Sequence, residues 1–269
     1  RLVQVQGIDH VHYSQRARAQ HERQEVLSAR RGDILDRSGR ELALDVASVS
    51  FYAHPAALQD RIGAARHFAR VSGRSAQDLA RQLDSDRPFV YLMRQARDEE
   101  LERARSEQFQ GVLEQKEVRR LYPYGHLAGQ LLGFTSIDNE GREGVELALD
   151  ELLAEQPGAA KSYVDNRGRF LPDRSQATEP ARHGASVRLT IDAVMQTILE
   201  EELSRAVADS EAESALGIIS DPRTGDILAL GSVPLFDPNH PGSSPAADRR
   251  NRLITDPFEP GSTLKPITM

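Results

Sequence analysis

Three pairs of short extended runs, each closed by a tight turn, recur along the chain and restrict it to antiparallel sheet building. In ILDRSGRELAL at 34–44 the turn is Asp36-Arg37-Ser38-Gly39, a type I-like sequence with Asp first and Gly last. A second pair spans 160–171 around Asn166-Arg167-Gly168. A third joins LGIISD at 216–221 to DILALGS at 226–232 through Pro222-Arg223-Thr224-Gly225. Helical spacings separate the pairs without the alternating strand and helix rhythm of a parallel sheet, so the expected fold class is α+β.

The spacing of Leu58, Ile62, Ala65 and Phe68 predicts a helix over 55–70, and a second helix follows Ser75, with Asp78 completing a capping box. Residues 89–93 read as a short strand, 98–108 as a charged surface helix, and 112–122 as an extended segment stopped at Pro123. The Gly-rich turn IDNEGREG at 137–144 precedes an amphipathic helix from near Val145 to Leu153, ended by Gln156-Pro157-Gly158. Residues 172–186, rich in Pro, Ser, Thr and Gly, are the best linker candidate. A boundary near 180 then gives domains of 1–180 and 181–269. Beyond it Met195, Ile198, Leu199, Leu203 and Ala206 share one helix face, and the Pro-rich stretch 234–261 reads as a long loop, the sort that is usually functional or mobile.

At 269 residues the chain has room for about two domains. Its 34 basic and 41 acidic residues give a net charge of −7, which argues against nucleic acid as a partner. The absence of cysteine removes a disulfide framework, a Cys metal site and a thiol nucleophile. Residues 1–31 carry six Arg against three acids, read as a solvated face in preference to a membrane contact. No apolar run approaches the roughly 18 residues of a membrane span. Because the chain starts at Arg1, it is expected to be a fragment or ectodomain from which an anchor or signal has been removed.

The chemistry concentrates in EPGSTLKP at 259–266. Ser262 and Lys265 stand three apart at a predicted helix start, which puts both side chains on one face. A serine hydroxyl needs a base to become a nucleophile, and a desolvated lysine can be that base. Helix-terminal N–H groups would favour an anion developing beside Ser262. On these four residues alone, a helix-capping Ser beside a solvated Lys is the stronger reading.

Four other constellations read as structure. His10 and His12 lack a third ligand at metal spacing. Arg31-Gly32-Asp33 opens the first hairpin. Glu140, Glu143 and Glu146 crowd one turn without a calcium-loop pattern. Asp237, Asn239 and His240 have no nucleophile at usable spacing. Neither a metal nor a cofactor is expected.

Five segments in order reverse the reading of Ser262. RRGDILDRSGRELA at 30–43 and GQLLGFTSIDNEGREGVELALDELL at 129–153 resemble the pedestal motifs of class B penicillin-binding proteins. SVRLTIDAVMQ at 186–196, GIISDPRTGDILALGSVPLFDPN at 217–239 and NRLITDPFEPGSTLKP at 251–266 resemble the first part of their transpeptidase domain. The chain is therefore similar to the peptidoglycan D,D-transpeptidases of the cell-division type. That resemblance implies an elongated, dimerisation-type pedestal domain followed by the first part of a penicillin-binding transpeptidase domain. It implies Ser262 as the acyl nucleophile and Lys265 as general base or proton shuttle, acting on peptidoglycan stem peptides and acylated by β-lactam antibiotics. It also implies a membrane-embedded glycan polymerase and divisome proteins as partners, on the extracytoplasmic, periplasmic side of the bacterial cytoplasmic membrane. The family's SxN and Lys-Thr/Ser-Gly triads do not occur in these 269 residues, so the chain alone is expected to be inactive. The rival expectation is a non-catalytic pedestal module that binds cell-wall assembly partners; a β-lactam sensor or β-lactamase fits the pedestal segments poorly.

Overall fold

A computed structural model of the chain describes residues 22–27, 29–164, 170–257, 259 and 265. The elements run β1 (Glu22–Leu27), β2 (Ile34–Leu35), β3 (Glu41–Ala53), α1 (Arg61–Ser72), α2 (Ala76–Leu83), β4 (Val90–Ala96), α3 (Asp98–Arg105) and β5 (Val112–Leu121). Next come α4 (Gly129–Leu132), α5 (Gly144–Ala148), α6 (Asp150–Leu153), β6 (Gly158–Val164), β7 (Phe170–Glu179) and β8 (Val187–Arg188). The last part holds α7 (Ala193–Ser210), β9 (Ala215–Ser220), β10 (Ile227–Val233), a 3-10 turn (Pro241–Ser243), α8 (Ala246–Arg249) and α9 (Arg252–Thr255). The fold is α+β. Two compact units share it: one combines the chain up to Asp33 with Asp150–Val187, the other Ile34–Leu149 with Arg188–Met269.

In the smaller unit β6 pairs antiparallel with both β1 and β7. The turn around Asn166 lies outside the described residues, but its flanking strands pair as expected, Val164 opposite Phe170. The linker expected at 172–186 is corrected: β7 carries the chain through Glu179 as strand, and Gln156 and Arg182 then form a bridge. Composition marked this stretch as unstructured because its hydrogen-bond partners, on β6, are not visible locally. Arg31 is buried and pairs with Asp150 at 2.7 Å, while the Gly32 N–H donates to the Leu153 carbonyl. Arg31-Gly32-Asp33 is thus structural.

In the larger unit β3 pairs antiparallel with β2, β4 and β5. The expected first hairpin is present. Asp36 closes it, its Oδ1 accepting the Ser38 and Arg40 N–H groups at 2.7 and 2.9 Å, with Gly39 in the left-handed region at φ +86°. The α1 helix starts at 61 instead of 55, because Asp60 caps it by accepting the Gly63 N–H at 2.8 Å. Ser75 caps α2 through the Asp78 N–H as predicted. Both helices cover one face of the sheet, where Phe51, Phe68, Leu79, Leu83 and Leu92 are almost wholly buried. Each such side chain contributes about 1.5–3 kcal/mol through its removal from water.

The helix expected over 145–153 is broken at Leu149 into α5 and α6, and the boundary between the compact units falls at the break. Asp192 caps α7, and α7 packs on the β9–β10 hairpin. Only part of its predicted apolar face is used. Leu199 and Leu203 press on Gly217 and Gly231, whereas Met195 and Ile198 are 38% and 54% exposed. Of its buried positions, Ala193, Gln196 and Glu200, two are polar. Gln196 exchanges hydrogen bonds with both backbone groups of Leu230, at 2.8 and 2.9 Å, and donates to Glu200 at 2.7 Å.

Candidate active site

The third hairpin, β9–β10, delivers the chain toward the predicted nucleophile. Asp221 shapes its turn by accepting the Arg223 N–H at 2.9 Å, with Gly225 at φ +79°. From β10 the chain runs through residues 234–251 to α9, which packs beside both hairpin strands. The long Pro-rich loop is a chain of short helical turns. Beyond it Ser262 lies outside the described residues, and Lys265 is helical and exposed.

Four contacts fasten this approach to the segment 120–149. Gln130, 7% exposed, donates its side-chain amide to the carbonyls of Pro234 at 2.8 Å, Asp248 at 3.2 Å and Ser232 at 3.4 Å. Asn239 pairs with both backbone groups of Tyr122, at 3.0 and 2.9 Å. Arg249 donates to Glu143 and to the carbonyls of Pro241 and Ser244, and its guanidinium lies 5.7 Å from the Phe134 ring centroid. Gly129 meets the Phe236 carbonyl so closely that an added Cβ would sit 2.0 Å from its oxygen. The motif at 129–153 therefore holds the loop 232–251, which precedes the predicted nucleophile in the sequence.

Beneath this junction Arg120 is buried, with Nε 2.8 Å from Glu146 and an Nη 3.2 Å from Asp45. Burial opposes its charge, and the two carboxylates overcome that and raise its pKa above the ordinary arginine value. Tyr122 also donates to Glu146, at 3.2 Å. Glu146 is thus a structural acid; Glu140 and Glu143 each pair with an arginine nearby. Burial also works against the Asp237 charge, yet hydrogen bonds from His240 and Asn239 hold its carboxyl below the usual value. Glu200 goes the other way. Burial raises its pKa despite hydrogen bonds from Gln196 and the Ala128 N–H.

The sequence singled out Asn239 only as a turn residue and missed Gln130 and Arg249, whose partners are mostly backbone carbonyls. His10 and His12 lie outside the described residues. Among the described residues no group of three His, Asp or Glu side chains could hold a metal.

Comparison with known proteins bears on the whole arrangement. The penicillin-binding protein dimerisation domain matches residues 26–189, and the penicillin-binding protein transpeptidase domain matches 215–269. The chain belongs to the class B penicillin-binding proteins. Peptidoglycan D,D-transpeptidase FtsI of Escherichia coli is 35% identical over 254 residues, covering 92% of this chain and 43% of that protein. Stage V sporulation protein D of Bacillus subtilis is 30% identical over 243 residues, covering 89% of this chain and 38% of that protein. The chain thus spans less than half the length of these relatives. In fold it is similar to penicillin-binding protein 2X from Streptococcus thermophilus, with a TM-score of 0.58 at 24% identity over 90% of this chain and 40% of that one. Four of the five segments that carried the resemblance lie within the matched ranges of this penicillin-binding protein chain, 30–43 and 129–153 in the first and 217–239 and 251–266 in the second.

Proposed function

We propose that this chain is part of a peptidoglycan D,D-transpeptidase of septal cell-wall synthesis, with Ser262 as nucleophile and Lys265 as its base or proton shuttle. Residues 1–180 are the pedestal domain and 181–269 the start of the transpeptidase domain. Ser262 Oγ attacks the carbonyl of the penultimate D-Ala of a stem peptide, and its proton passes by way of Lys265 to the departing terminal D-Ala amine. The acyl group then moves to an amine of a neighbouring stem, regenerating Ser262. β-Lactams acylate the same oxygen and stall there. The protein works on the extracytoplasmic side of the bacterial membrane beside a membrane-embedded glycan polymerase and divisome proteins.

One observation carries this reading: Ser262 and Lys265 stand at helix spacing directly after an approach loop anchored by Gln130, Asn239 and Arg249. The test is the benzylpenicillin acylation rate of Lys265→Ala in the protein as expressed in its own cells. Loss of acylation with the fold retained supports the role of Lys265. Acylation at the parent rate contradicts it.

A further inference from the structure

Glu200 is buried, whereas Glu201, Glu202 and Asp209 of the same helix are exposed. Its Oε1 accepts from the Gln196 amide and from the Ala128 N–H, each at 2.7 Å. Its Oε2 is enclosed and has no hydrogen-bond partner among the described residues. The His126 Nε2 lies 4.0 Å from that oxygen, too far for a hydrogen bond, on a side chain that is 57% exposed. A buried carboxylate oxygen left unmet is costly, so this carboxyl gives up its proton less readily than an exposed one.

His126 is the charged group that bears on it. The strands packed against α7, β9 and β10, carry no ionisable side chain. On α7 itself Glu201 and Arg205 line the same pocket, and Arg205 pairs with Glu202 at 2.7 Å. The facing segment brings Tyr124 and His126, and of these groups it is the His126 charge that favours ionised Glu200. The same segment ends in Ala128, held in the left-handed region at φ +53°, which a non-glycine residue adopts at a cost. Ala128 gives its N–H to Glu200, and its carbonyl accepts the Leu131 and Leu132 N–H groups that open α4. Gln130 on α4 then holds the carbonyls of Ser232, Pro234 and Asp248.

We infer that Glu200 and His126 form a proton-operated latch on the 124–128 turn and, through α4, on the loop 232–251. With its proton in place Glu200 is neutral, and the turn stays seated on α7. As rising pH removes the proton, the ionised carboxyl remains buried only in so far as the His126 ring closes on Oε2 and donates Nε2–H to it. Closing that gap takes roughly 1 Å of movement by an exposed ring. Where the ring does not close, the carboxylate seeks water, the Ala128 contact is lost and the loop loosens. The bearing of the latch on Ser262 rests on the function proposed above; the latch itself is read without acylation.

The test measures amide hydrogen exchange of the full chain from acidic to mildly alkaline pH, as protection factors with the intrinsic rate at each pH divided out. Protection at Ala128 is expected to fall by about tenfold per pH unit while Glu200 loses its proton, with 232–251 following and β3 declining less steeply. Glu200→Gln, which keeps the shape and both acceptor contacts, is expected to abolish that decline. His126→Ala, at an exposed ring, is expected to leave acidic protection unchanged and to lower it about tenfold further at the alkaline end, the worth of one charge-assisted hydrogen bond. In a Glu200→Gln background it is expected to do nothing. Constant protection at Ala128, a decline that survives in Glu200→Gln, or an equal effect of His126→Ala in both backgrounds overturns the latch. A decline at Ala128 that 232–251 does not share, or that β3 matches, overturns its hold on the loop.

Discussion

Replacing Gln130 by Met keeps length and volume but removes the amide that holds the approach loop. An amide NH₂ has two hydrogens and here faces three carbonyls, so the contributions are unequal. The Pro234 bond at 2.8 Å is a full hydrogen bond, and the Asp248 and Ser232 bonds at 3.2 and 3.4 Å share the remainder. Losing roughly 1–1.5 kcal/mol for the first and about 1 kcal/mol for the others, while leaving buried acceptors unmet, predicts a loss of about 2–3 kcal/mol. Urea unfolding followed by far-UV circular dichroism measures it, since the chain has no tryptophan. Hydrogen exchange should rise most across 232–251. A loss below about 0.5 kcal/mol with unchanged exchange there would refute the claim that Gln130 holds the loop.

Glu146→Ala removes one of the two carboxylates that face buried Arg120; because Asp45 remains, the expected cost is about 3 kcal/mol, at the low end for a broken buried pair, read as a fall in the urea midpoint. Gly133→Ala is expected to cost about 3 kcal/mol or more, since φ is +72° and the new Cβ would lie 1.8 Å from the Glu143 carbonyl oxygen; thermal unfolding reports it. Glu200 has its pKa raised in the folded state by burial, so the folded chain binds the proton more tightly than the unfolded one. Its contribution is therefore favourable below the ordinary glutamate pKa and is lost as pH rises through the folded value. Glu200→Gln should flatten that decline in urea midpoints measured from acidic to neutral pH.

The elements legible in the sequence were those whose information is local. Asp36, Gly39, Asp221 and Gly225 mark turns by their own chemistry, and the hairpins they close are present. The cap at Ser75 is local in the same sense. What failed depended on distant partners. Residues 172–179 look like a linker until β6 is placed beside them. On α7, apolar spacing selected Met195 and Ile198, whereas Gln196 and Glu200 are buried beside Ala193, because the groups facing the two polar side chains are backbone amides of Leu230 and Ala128. Gln130 was hidden for the same reason, its partners lying more than 100 residues away. For the site itself, the Ser262 and Lys265 spacing was weak alone and gained meaning only from the five ordered segments around it.

The central claim is that Ser262 is the acyl nucleophile, and peptide mapping of the protein from its own cells after benzylpenicillin treatment tests it most directly. The account predicts a single penicilloyl group on the peptide containing Ser262, and none in Ser262→Ala. An adduct on any other residue, or one that persists in Ser262→Ala, would contradict it.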